Sequence, residues 1–115
     1  MSGRSRTRID RVRASAGIAK LALQQIEDDL TGEIGGQELA QILRELHHED
    51  HRQDGVFGFL AQLLTVAGQA AGRIEPDRDD EMSCPLHEAA ALITENAGLQ
   101  TYYATRALDP QGEAA

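Results

Sequence analysis

The sequence predicts an all-α fold, a four-helix, bundle-like domain with a flexible basic N-terminal arm, and three observations carry that prediction. Apolar residues recur at spacings of three and four through most of the chain, and nowhere do several residues alternate with period two. Breaks containing Gly or Pro at 31–36, 54–55 and 75–76 separate the periodic stretches. One stretch, Val56 to Gly72 (VFGFLAQLLTVAGQAAG), is apolar around most of a helical circumference and must be surrounded by neighbours or by a second copy.

The elements follow in order. Residues 1–8, MSGRSRTR, show no apolar periodicity and read as a mobile arm. Helix one begins near Ile9, where Ile9, Val12, Ala16, Ala19, Leu23, Ile26 and Leu30 form a seam of coiled-coil type. Three glycines in Thr31–Gly36 end it, and helix two starts near Gln37 with the stripe Leu39, Ile42, Leu43 and Leu46. It runs on through the wholly polar HHEDHRQD to Asp54-Gly55.

Helix three is the central element and ends near Ile74, before Pro76. Its polar positions Gln62, Thr65, Gln69 and Arg73, together with Gly58, fall on one stripe. EPDRDDEMS reads as an acidic solvated loop. Helix four is expected to be capped by Ser83 or Cys84, with Pro85 at its first position and Glu88 in its first turn. Its apolar set is Leu86, Ala89, Ala90, Ile93 and Ala97, continuing through Leu99 and Tyr103, with Asn96-Ala97-Gly98 as a possible break and Asp109-Pro110 as its end. A single helical domain over 9–109 and a disordered tail over 110–115 result.

Two Phe, two Tyr and no Trp leave the core to Leu, Ile, Val and Ala. Gly68, Ala71 and Gly72 permit close helix contact. Phe57, Phe59, Leu60, Leu63 and Leu64 are the expected core or interface residues, and the apolar excess of helices one and three predicts self-association as a dimer. The apolar run of helix three is shorter than the roughly 20 residues a membrane span needs and contains two Gln and a Thr. No membrane association is expected.

The net charge of −8 is unevenly spread. Arg4, Arg6, Arg8, Arg11, Arg13 and Lys20 face only Asp10 in the first twenty residues, a net of +5; the remainder carries five cations and eighteen acids, a net of −13. The arginines form a candidate arm for anions, nucleic acid or an acidic protein surface. The acidic body is a poor nucleic-acid binder, and helix three is too apolar for a recognition helix. A lone Cys84 excludes an internal disulfide and fits a reducing cytoplasm. No continuous apolar segment follows the arginines as a secretory signal would require.

Two constellations offer metal ligands. In the first, Gly32 stands at the turn of a loop in which Glu27, Asp29, Thr31 and Glu38 supply side-chain oxygens and Glu33 a backbone carbonyl. The stretch from Ala19 to Leu46 resembles an EF-hand helix-loop-helix, with Ile34 at the family's hydrophobic position, and the resemblance implies a calcium loop at 27–38. It covers about a quarter of the chain. It departs from the pattern in having Glu27 at the first position and no partner hand, because the acidic run from Glu75 to Glu88 lacks the turn glycine. A Gly-containing loop that happens to follow acids is the plainer reading.

In the second, His47 and His51 stand four apart on helix two, and Cys84-Pro85-Leu86-His87 provides a pair across two residues. Those four would complete a Zn2+ site if the end of helix two met the start of helix four. The plainer reading is exposed histidines favouring a helix C-terminus. No phosphate loop, dinucleotide fingerprint or serine nucleophile occurs. Cys84 at a helix start, with His87 the only nearby base, does not establish a nucleophile. The sequence thus points to a non-enzymatic interaction or regulatory module that needs no cofactor, with metal binding and nucleic-acid binding as the alternatives.

Overall fold

The computed structural model describes residues 7–114, with side chains described through Gly112. Among the described residues there is no strand, and six α-helices follow one another: α1 (Arg8–Asp29), α2 (Gly36–Leu46), α3 (Val56–Ile74), α4 (Asp79–Leu92), α5 (Leu99–Leu108) and α6 (Pro110–Ala114). The all-α class is as expected. The chain divides into two compact units, Met1–Ile34 and Gly35–Ala115.

The first unit is a helix with its caps. Thr7 and Asp10 form a reciprocal capping box: the Thr7 hydroxyl accepts from the Asp10 N–H at 3.1 Å, and the Asp10 carboxylate accepts from the Thr7 N–H at 3.4 Å. Helical order therefore begins within the segment expected to be a mobile arm, and Arg8 is the first residue of α1. At the other end the Thr31 hydroxyl donates to the Asp28 carbonyl at 2.7 Å, and Gly32 takes φ +85°, a conformation that glycine adopts without steric cost. No residue of α1 is buried. Ile18 is 70% exposed and lies half a turn from Ile9, so the apolar residues of α1 occupy two sides of the helix rather than one seam.

In the second unit α3 packs chiefly on α4 and α2 packs on α5. α3 and α4 run antiparallel, because Gly72 approaches Asp79, Gly68 approaches Ser83 and His87, and Gly58 lines a groove with Ala90, Ala91 and Thr94. Small residues on both sides let the backbones come close. Hydroxyls on these surfaces are satisfied within their own helices, Thr65 donating to the Ala61 carbonyl at 3.0 Å and Ser83 to that of Asp79 at 2.7 Å.

Four boundaries differ from the sequence reading. α2 stops at Leu46: His47 adopts an extended conformation, and Glu49–Asp54 forms a 3-10 turn in which His51 leaves helical geometry. With no apolar face, HHEDHRQD has nothing to hold it on the helix. α4 begins at Asp79, so neither Ser83 nor Cys84 caps it and Pro85 lies inside. Asp79, Asp80 and Glu81 stabilise its first turn against the helix dipole, and Arg78 bridges Glu75 and Glu81 at 3.1 and 2.8 Å, making helix of the expected loop. Asn96-Ala97-Gly98 does not break the last helix but widens it into a π turn, Ile93–Gly98, that joins α4 to α5. Finally, the expected tail forms α6 to Ala114, with the Asp109 carboxylate accepting from the Gly112 N–H at 3.1 Å.

Candidate functional site

The central helix turns its small residues to its neighbour. Its buried residues are Gly58 and Gly68, and Thr65 and Ala61 lie partly covered on the same side. The large apolar side chains point outward: Phe59 is 69% exposed, Leu63 61% and Ile74 75%, with Leu60 and Val66 also exposed. Of the residues expected in core or interface, Phe57 and Leu64 are half-buried while Phe59, Leu60 and Leu63 form an open apolar stripe. The physical reason is the partner's surface. α4 presents Ser83, His87 and Ala90, and only glycine, alanine and threonine fit against it at that distance.

A second feature lies where α2, the 3-10 turn, α3 and the π turn meet. His47 is 2% exposed; its Nε2 stands 2.7 Å from Glu49 Oε1, and Arg52 Nη2 donates to Glu49 Oε2 at 2.7 Å. A carboxylate only accepts, so Nε2 carries a hydrogen, and Nδ1 is buried with no hydrogen-bond partner among the described residues. The ring sits 6.4 Å from that of Phe57, and Gly98 presses on its Nδ1 side. Arg52 first, and His47 second, hold the Glu49 carboxyl below the usual carboxylate range, against a smaller opposing effect of burial. Arg52 is correspondingly raised by Glu49. The sequence carries a signal for this node that composition hides: His47 falls four residues after Leu43 and seven after Ala40, on the apolar stripe of α2 rather than off it.

The metal ligands do not assemble. No group of three or more His, Cys, Asp or Glu side chains that could hold a metal ion forms among the described residues. α1 continues through Asp29, so Glu27 and Asp29 are helical and diverge by about 200° instead of converging on one ion. Thr31 and Glu33 follow in the same unit, and Glu38 lies in the first turn of α2 in the other unit. Of the four zinc candidates, His47 is engaged by Glu49, His51 stands off the helix, Cys84 is exposed and His87 lies against Gly68. Cys84 is in the second turn of α4, so it is not the first-turn thiol the sequence suggested.

The basic residues are also dispersed. Arg4 and Arg6 lie outside the described residues, while Arg8, Arg11 and Arg13 sit on the first two turns of α1 pointing to different sides, with Arg13 3.6 Å from Asp10. An open groove of about 360 Å³ runs over the α3–α4 contact, floored by Gly58, Ala61, Ala90 and Ala91 and edged by Arg52, Gln62, His87 and Thr94. It holds no paired nucleophile and base. No helix among the described residues is long and apolar enough to cross a membrane. Compared with protein-family models, with curated proteins and with solved structures, the chain matches none.

Proposed function

We infer that this protein is a small non-enzymatic helical interaction module that self-associates, as a dimer, through apolar surface on α1 and α3, and offers its remaining surface to a macromolecular partner. One observation carries the reading: α3 buries its small residues and exposes Phe59, Leu60, Leu63, Val66 and Ile74 in a contiguous stripe. Scattered exposed apolar residues need no explanation, but a continuous row along a helix marks a contact surface.

The magnitudes favour a reversible contact. Five large apolar side chains per chain, each with about half its surface left to bury, contribute roughly 1 kcal/mol apiece, or about 10 kcal/mol over two chains. Association costs about 4–15 kcal/mol, so at the low end of that cost about 6 kcal/mol remains, a dissociation constant of roughly tens of micromolar. An exposed single cysteine is compatible with a reducing compartment, in keeping with a cytoplasmic protein.

The test is the molar mass of the full chain by sedimentation equilibrium between about 1 and 100 µM, the range that brackets such an affinity. A rise from monomer to dimer mass supports the reading. A monomer mass throughout removes it.

A further inference from the structure

Much of the apolar stripe of α3 pairs about its centre. About a midpoint between Val66 and Ala67, apolar residues stand in symmetric pairs: Phe59 with Ile74, Leu63 with Ala70, and Val66 with Ala67. At about 100° per residue, all six lie within about 50° of one line along the helix. Phe59, Leu63 and Ile74, the most exposed large apolar residues of α3, all belong to this set.

An isologous two-fold contact demands such a pattern, because one patch must meet itself, with residue i touching j of the partner and j touching i. Laid antiparallel, these pairs set a larger side chain against a smaller one: Phe59 faces the partner's Ile74, Leu63 the partner's Ala70, and Val66 the partner's Ala67. That alternation is how two helix surfaces interdigitate. No carboxylate interrupts the stripe. Arg73, its one flanking cation, falls opposite the partner's Leu60, where its stem covers apolar surface and its guanidinium stays in water. Antiparallel helices also align their dipoles favourably. α1 fixes no comparable register, since its apolar residues lie on two sides.

We propose that α3 packs antiparallel on α3 of a second copy of this chain, about a two-fold axis passing between Val66 and Ala67. The inference rests on the self-association reading and adds to it which helix makes the contact, in which direction and in what register.

The test uses full-length protein in a Cys84→Ser background, with Leu63→Cys and Ala70→Cys made separately and oxidised with copper-phenanthroline, alone and mixed. The expected result is several-fold more covalent dimer in the mixture than in either protein alone. Equal yields alone and mixed, or no covalent dimer while sedimentation still shows a dimer, overturn the proposed register and leave self-association standing; a monomer by sedimentation removes both. A second measurement needs no cross-link. Leu63→Ala weakens association about tenfold or more, and adding Ala70→Leu restores it to within a few-fold by exchanging the large and small partners. Circular dichroism verifies that each variant keeps its helices, and a folded Leu63→Ala protein that associates as before overturns the proposal.

Discussion

Gly98 in the π turn lies directly against the imidazole of His47, so closely that a methyl group there would collide with Nδ1 and Cε1. The ring has no freedom to withdraw: it is buried, it is tied through Nε2 to Glu49, and Phe57 flanks it. Gly98→Ala is therefore expected to destabilise the second unit by about 1–3 kcal/mol, the cost of overpacking a rigid contact. A urea unfolding midpoint that stays put would show the ring to be mobile.

Two other glycines give opposite expectations. A Cβ on Gly58 would collide with the Arg52 carbonyl, backbone that no side-chain rotation relieves, so Gly58→Ala costs about 2 kcal/mol or more. Gly17, in the middle of α1, has nothing within 4 Å of such a Cβ. Gly17→Ala should raise helix content and stabilise α1 by about 0.5–1 kcal/mol. Circular dichroism and denaturant titration of the two variants decide both signs.

The Glu49 node makes stability depend on pH in one direction. Its carboxyl, held down by Arg52 and then His47, has a folded value below the ordinary 4.5. Such a group contributes fully above its unfolded value and loses that contribution as pH falls through the lower folded one. Wild type should thus lose more stability than Glu49→Gln between pH 6 and the acid limit, while at pH 7 the variant starts about 1 kcal/mol less stable. Unfolding midpoints of the two proteins across that range should converge on acidification. Parallel curves would show that the node contributes nothing.

Ca2+ and Zn2+ are expected to leave the thermal midpoint where it is in chelator. An ion at a hundredfold excess over its dissociation constant stabilises by about 2.7 kcal/mol, which in a domain of this size raises the midpoint by roughly 10 °C or more. A rise of that size with either ion would reinstate the corresponding loop or histidine set.

Much of the fold was legible in the residues, and the errors share a cause. α3 begins and ends where its apolar run and Pro76 place it, because a long apolar segment bounded by Gly55 and a proline has one reading. The acidic run after Ile74 looked like loop by polarity, yet acids are what a helix N-terminus favours, and α4 starts on three of them. Which face of α3 packs inward was not legible. Hydrophobicity left Phe59, Leu60 and Leu63 as core or interface alike and set Gly58 with the polar stripe, whereas the distance of closest approach between α3 and α4 selects for size. His47 was misread because a polar residue continuing an apolar stripe counts as polar in any composition and as core in three dimensions.

The apolar side chains fully buried among the described residues are Ala40 and Ala90, and the largest wholly buried groups are His47 and Thr105. So slight an interior leaves little to hold the chain folded when it is alone. If copies cover one another's leucines, then dilution itself acts as a denaturant: the melting temperature falls as the protein is diluted, and the protein's abundance in the cell sets how much of it is folded.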